Sequence, residues 1–298
     1  MNAPELVTVD RHTYIGGSDA PAVLGVSPWK SPLALYLEKI GEAPGIEGTE
    51  PMLWGRVLET PIAEEYARRT GRRIRRVNRT LRHTKFAFIA AHIDRDIVGE
   101  DRILEVKTAR SADGWGEPGT DEVPEHYVAQ TQHYLAVTGA EACDVALLVA
   151  GSDFRIYTVP RDEELIGMLI EAEAAFWQRI ERKDPPTPST AEDAARLWRK
   201  SVARAAETTI EVAAAVDQLR ALKAQLKALD EEEERLRGLI LPAFTDAEAL
   251  AFNGRVIATW KTQATRRLDQ KALAAERPEI AAEFTRTSES RVLRLAKA

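Results

Sequence analysis

Ile103-Leu104-Glu105-Val106-Lys107-Thr108, with Asp94 eleven residues ahead of Glu105 in Ala91-His92-Ile93-Asp94, is the stretch on which the fold turns. In an extended strand successive side chains point to opposite faces, so Leu104 and Val106 face one way and Glu105 and Lys107 the other. A carboxylate and an ammonium then stand side by side in an otherwise apolar strand. Such a polar face calls for a cleft or a metal ion, the plain alternative being an exposed face with a salt bridge. With Ala87 to Ile93 as the neighbouring strand, Asp94 at its end reaches the same spot. Asp94, Glu105 and the Val106 carbonyl make an oxygen site for Mg²⁺, with Mn²⁺ as substitute, and Lys107 beside them orients or helps deprotonate a water and offsets phosphate charge.

Two further segments converge on this strand. A helix over Leu53 to Thr70, closed by Gly71, turns Leu58, Ile62 and Tyr66 inward at i, i+4, i+8, and Glu59 lies next to that face, placed for a second metal or a metal water. After a loop rich in Gly and Asp, Ser111 to Glu122, a helix from Pro124 to Gly139 carries Tyr127, Gln130 and Tyr134 at i, i+3, i+7. One face of that helix therefore presents an amide flanked by phenols.

The rest of the first 183 residues alternates helix and strand signals. Ser31 as N-cap, Pro32 at the first turn and Gly41 bracket a helix from Leu33 to Ile40, and Ala43 to Glu50 reads as a loop. Strands are expected at Ile74 to Leu81, Phe86 to Ile93 and Ile103 to Thr108, the last two separated by a turn through Val98-Gly99-Glu100-Asp101. A hairpin spans Asp144 to Ala150 and Phe154 to Pro160, and a helix spans Asp162 to Arg182. This order fits an α/β sheet sandwich over residues 1–183. Pro185, Pro186 and Pro188 mark a linker over 184–190.

Residues 191–298 read differently. Val212, Ala215, Leu219, Leu222, Leu226, Leu229, Glu233, Leu236 and Ile240 step by alternating three and four, a heptad seam with one polar interruption. It can fold back on the first domain or join two chains. Asn253-Gly254 centres a hairpin, followed by a short helix near Gln270 to Phe284 and a last strand from Arg291 to Leu295.

Composition narrows the function classes. The 298-residue chain has a net charge of −6 and one cysteine, Cys143, which excludes an internal disulfide and a thiolate zinc site. Apolar runs fall short of a bilayer span, and Met1-Asn2-Ala3-Pro4-Glu5 lacks the features of a signal peptide, so a cytoplasmic protein without membrane association is expected. Against the acidic background, residues 67–92 hold nine Lys or Arg and no Asp or Glu. That local +9 is a polyanion-binding candidate, with Arg72 and Arg75 as its test positions, unless it is a solvated strand edge. Among the tryptophans, Trp115 in the loop beside the active strand is the candidate for touching DNA, Trp29 and Trp54 reading as packing.

Several motifs occur together and in order: Arg11 to Ser18; Gly16-Gly17-Ser18-Asp19 with Gly25-Val26-Ser27-Pro28-Trp29-Lys30-Ser31-Pro32; Gly55 to Glu59; Asp94; Glu105-Val106-Lys107; and Gln130-Thr131-Gln132-His133-Tyr134. Over about residues 8–180 the chain resembles the YqaJ-like viral recombinase family, which belongs with the phage lambda exonuclease in the PD-(D/E)xK nuclease superfamily. The tail also resembles phage-encoded members. The resemblance implies a restriction-endonuclease-like core, a central mixed sheet flanked by helices. It further implies a Mg²⁺-dependent deoxyribonuclease, phage or prophage encoded, that degrades one strand of linear double-stranded DNA from a 5′ end and works in recombination with a single-strand annealing protein. By motif, Asp94 and Glu105 are implied metal ligands, Lys107 the catalytic lysine, Glu59 and Gln130 supporting groups, and Arg11 with Ser18 the grip on a terminal 5′ phosphate. A guanidinium beside a hydroxyl at a helix start suits that task in its own right. Tyr134 is a further DNA-binding candidate. Ile93 stands where the superfamily name has proline, and His92 where a small residue is common, either a phosphate contact or a strand residue. A structure- or sequence-directed endonuclease on the same core, and a DNA-binding assembly protein without catalysis, are the competing readings. Lambda-type enzymes form rings, so a homo-oligomer is in keeping with the resemblance, although the matched motifs do not report the surfaces involved.

Overall fold

The computed structural model describes residues 10–43, 48–287 and 289–296. The readings of Met1 to Glu5 and of half of the loop at 43–50 fall outside them. Chain contacts divide it into two units, the first ending at Leu197 and the second starting at Trp198. In the first unit the helices are α1 (Ala20–Val23), α2 (Pro32–Lys39), α3 (Glu50–Thr70), α4 (Glu125–Thr138), α5 (Glu163–Arg182) and α6 (Ala191–Leu197). Its strands are β1 (Ile74–Arg76), β2 (Leu81–Arg82), β3 (Ala90–Ala91), β4 (Arg95–Ile97), β5 (Arg102–Ala109), β6 (Ala142–Val149) and β7 (Asp153–Pro160). The second unit holds α7 (Ile210–Ile240), β8 (Ala249–Phe252), β9 (Arg255–Thr259), α8 (Gln270–Glu276) and α9 (Pro278–Phe284).

A five-stranded mixed sheet in the order β1-β4-β5-β6-β7 organises the first unit, with β5 and β6 parallel and the other pairs antiparallel. The parallel pair needs a crossover, and α4 supplies it. Alternation along β5 sorts its side chains as expected: Leu104 packs with Ile62, Ala63 and Tyr66 of α3 on one face, while Ile103 joins the larger cluster with Leu135, Cys143, Val145 and Ile166 on the other. Glu105 and Lys107 share that second face with α4.

Several expected elements come out differently. The basic stretch from Ile74 to Leu81 is two short strands, β1 at the sheet edge and β2 in a separate ribbon with β3. Of Phe86 to Ile93 only Ala90–Ala91 is strand, and Asp94 instead immediately precedes β4, an unpredicted strand beside β5. Charged Arg95 and Asp96 conceal β4 from a pattern reading. Residues 191–197 lie within the first compact unit rather than with the C-terminal module: Asp193 of α6 is buried and accepts from the Ser31 hydroxyl at 2.6 Å.

In the second unit α7 is a single 31-residue helix with no buried residue, so the heptad seam lies on its surface. Asn253 and Gly254 take positive φ values of 49° and 76° between β8 and β9, as the two-residue turn requires. The expected helix from Gln270 to Phe284 is broken by Pro278 into α8 and α9. Arg291 to Leu295 is not a strand: its alternation finds no partner edge. Among the described residues no helix is long and apolar enough to cross a membrane.

Candidate active site

The register that pairs Arg95 with Leu104 brings Asp94 alongside Glu105. Because β4 starts at Arg95, the next N–H of β5 has no strand partner there, and the Asp94 carboxylate takes it, Oδ2 accepting from Val106 N at 2.8 Å. In a strand the N–H and C=O of one residue point the same way, so the Val106 carbonyl is directed to this side too. Glu105 is buried. Its Oε1 accepts from Lys107 Nζ at 2.6 Å and from Gln130 Nε2 at 3.1 Å, while its buried Oε2 has no hydrogen-bond partner. Gln130 closes the ring, its Oε1 accepting from Lys107 at 3.0 Å and its Nε2 donating to the Tyr134 hydroxyl at 2.8 Å. The phenol ring of Tyr127 lies 4.8 Å from the Lys107 ammonium.

Electrostatics in this cluster are unbalanced. Burial first, then the neighbouring charge of Glu105, push the Asp94 carboxyl up to about 8, and the Val106 hydrogen bond and Lys107 offset only part of this. Burial alone would lower Lys107, but the Glu105 carboxylate overrides it by charge and hydrogen bonding and holds the amine above its ordinary value. In the metal-free protein Lys107 is therefore held as an ammonium, a donor and a counter-charge to Glu105. The orphaned Glu105 Oε2, the strained ionisation of Asp94 and the all-oxygen donor set fit a divalent hard cation, which would relieve both defects.

Glu59 is placed otherwise than expected. Its Oε1 accepts from Arg95 Nη1 at 2.6 Å, and the same guanidinium nitrogen donates to the Asp94 carbonyl at 2.7 Å. Glu59 is thus committed to a cation and reaches the Asp94 backbone through Arg95. Among the described residues no three acidic, His or Cys side chains converge as a metal cluster; Glu59 meets the site through Arg95 and adds its negative charge to those facing Asp94.

Arg11 and Ser18 do come together, Arg11 Nη2 donating to Ser18 Oγ at 3.1 Å. Their loop is anchored by Lys39, whose buried ammonium donates to the carbonyls of Arg11 and Tyr14 and, at 2.8 Å, to buried Asp19. The loop is also stitched to the segment ahead of Asp94: Ile15 N donates to Phe88 O and Ala90 N to Ile15 O. Gly17 lies against Tyr134 so closely that a Cβ there would come within 2.2 Å of the ring. Tyr134 is itself buried, so it is not a surface contact for DNA but the link between this loop and Gln130. His92 lies beyond β3, between the hydroxyls of Tyr14 (3.2 Å) and Thr80 (3.3 Å), and burial followed by the charge of Arg11 lowers its pKa. A neutral imidazole thus borders the guanidinium.

Two other candidates are structural. Arg72 Nη1 donates to fully buried Asp144 at 2.6 Å and to the Tyr66 hydroxyl at 3.0 Å, and its Nε to Glu100 at 3.0 Å. It neutralises a buried carboxylate and is withdrawn as a DNA contact; Arg75 remains exposed beside Asp96. Arg72→Ala should lower unfolding free energy by about 2–3 kcal/mol in a urea titration, since Asp144 keeps Arg102, Thr158 and Tyr66 but loses its shortest guanidinium contact. Arg75→Ala should shift the same curve by less than about 0.5 kcal/mol, and equal shifts would contradict the assignment. Trp115 packs between Tyr127 and Tyr157 at centroid distances of 5.3 and 5.1 Å, forming the wall behind Tyr127 rather than a stacking platform.

Arg95 and Lys39 were missed in the sequence. Lys39 carried a signal, for it follows Leu35 at i+4 and so puts an ammonium on the apolar face of α2. Arg95 carried none that could be told from a surface charge.

The mixed sheet and its covering helices make an α/β core, a central mixed sheet flanked by helices, that carries the Asp94, Glu105 and Lys107 cluster. The model of the YqaJ-like viral recombinase domain matches residues 8–141. "Uncharacterized protein YqaJ" of Bacillus subtilis (strain 168) is 36% identical over 281 residues, covering 91% of this chain and 88% of its own length. The chain belongs to the YqaJ-like viral recombinase family. Among solved structures it is similar to the alkaline exonuclease LHK-Exo of Laribacter hongkongensis, with TM-score 0.48, 20% identity, 58% of this chain and 91% of that one covered. A phage related exonuclease of Haemophilus somnus 129PT gives TM-score 0.45, 15% identity and coverages of 57% and 94%.

Proposed function

We propose that this protein is a Mg²⁺-dependent exonuclease that enters linear duplex DNA at a 5′-phosphorylated end, degrades that strand 5′ to 3′, and hands the exposed strand to a single-strand annealing partner. The observation that carries this reading is the closed ring of Glu105, Lys107 and Gln130, with Asp94 beside it on the Val106 N–H, joined through Tyr134 and Gly17 to the Arg11–Ser18 pair. Asp94, Glu105 and the Val106 carbonyl would hold the ion, which when bound polarises the phosphoryl group and acidifies a water.

The chain's own residues do the positioning. Lys107 supplies a fixed positive charge at the reacting phosphate, where charge develops in the transition state. Gln130 fixes the Lys107 amine and the Glu105 carboxylate at once, so neither needs to reorganise during reaction. Arg95, held by Glu59, locks the backbone at Asp94. Arg11 and Ser18 offer a guanidinium and a hydroxyl to a dianionic terminal phosphate, which a 5′-hydroxyl end lacks.

The test is digestion, with Mg²⁺, of linear duplexes bearing 5′-phosphate or 5′-hydroxyl ends beside a covalently closed circle. Linear DNA should shorten, the phosphorylated ends about tenfold faster, while the circle survives. Cutting of the circle would replace this reading with an endonuclease.

A further inference from the structure

We propose that Trp29 is the platform on which the terminal nucleobase of the bound strand stacks. This rests on the DNA-end reading above and assigns the base a partner that the phosphate and metal groups do not provide. Trp29, in the loop between α1 and α2, is the most exposed tryptophan of the chain at 68%. An exposed indole on a slack loop would mean little, but this loop is braced. Ser27 Oγ accepts the N–H groups of both Trp29 and Lys30, and Val26 N and Ser27 N both donate to the Pro21 carbonyl. Ser31 caps α2 and is held by buried Asp193, and Lys30 is paired with Glu38. The indole is held outward by its surroundings.

Its direction is informative. The ring meets His126 edge-on at 4.8 Å and 86°, and lies 6.3 Å from Tyr127, the ring that carries Lys107. Burial, then the charge of Lys107, lower the His126 pKa, so this support is an uncharged ring. On the other side, the Lys30 ammonium is 3.9 Å from Asp19 Oδ1, the same carboxylate oxygen that lies 3.6 Å from Arg11. Trp29-Lys30 therefore spans from the terminal-phosphate pair to the rim of the reacting centre, the interval that one nucleoside must occupy if its 5′ phosphate sits on Arg11 and its 3′ phosphate faces Lys107. Every base has a π face, so an indole there holds the terminal nucleoside without reading its identity. Orientation of the reacting phosphate then comes from the base as well as from the end phosphate.

The experiment is fluorescence anisotropy with a short 5′-phosphorylated duplex, in Ca²⁺ and in EDTA, using a normal terminal nucleoside or a terminal abasic residue. The full chain should bind the abasic end about tenfold more weakly. Trp29→Ala should lose about the same factor on the normal end and no longer distinguish the two, whereas Trp29→Phe should keep most of the discrimination. Parent protein indifferent to the missing base, or Trp29→Ala discriminating as parent does, overturns the proposal. Intact discrimination without hydrolysis in Mg²⁺ would instead sink the nuclease reading and leave the base platform standing.

Discussion

Lys107→Ala should lower the rate of linear duplex hydrolysis by about a thousandfold while changing duplex affinity in Ca²⁺ by less than about threefold. Its ammonium is the one cation hydrogen-bonded to Glu105 among the described residues, and Gln130 cannot replace its charge. Loss of a group that acts on developing charge appears in kcat, whereas loss of a phosphate anchor appears in affinity. Melting curves recorded on the same samples separate this effect from unfolding. A variant within tenfold of the parent rate would remove Lys107 from the chemistry.

Asp94→Asn should abolish Mg²⁺-supported hydrolysis and at the same time stabilise the metal-free protein. The sign follows from linkage. With its pKa pushed up to about 8, the native carboxyl keeps a proton between roughly pH 4 and pH 8 that the unfolded chain has released, so stability falls as pH rises through that window. Asparagine removes the titration and can still accept from Val106 N through its amide oxygen. The variant should therefore match the parent near pH 4 and exceed it by about 5 kcal/mol at pH 8 and above, or roughly 10–20 °C in melting temperature. Mg²⁺ should raise the parent's melting temperature and leave the variant's unchanged. If the two proteins melt together at every pH, the carboxylates do not repel as described.

What could be read from the sequence was what repeats locally. The period of two in β5 sorted Glu105 and Lys107 from Leu104, and the helical spacing of Tyr127, Gln130 and Tyr134 placed one face of α4 over them. Asn253-Gly254 announced its own turn. What escaped depends on partners distant in sequence. Arg72 looks like its eight basic neighbours until Asp144, seventy-two positions later, comes under it. Arg95 hides a strand because its charge is cancelled by Glu59, thirty-six positions earlier on another element. Glu59 could be placed beside the site from its position on the helix, but its pairing with Arg95 could not. Trp29 and Trp115 exchanged their expected places because exposure is a property of packing, which neither neighbouring sequence encodes.

The contact of Gly17 with Tyr134 has a consequence for the engineering of this family. The loop that carries Arg11 and Ser18 and the helix that aligns the amide of Gln130 are keyed to each other by shape, with room for a hydrogen at residue 17 and no more. A hybrid that exchanged the first forty residues for those of a relative would need residues 17, 39 and 134 to travel as a set, or the incoming loop would push Tyr134 off Gln130 and disturb Glu105. End preference and cutting rate would then decline together, even though no residue at the reacting phosphate had been altered.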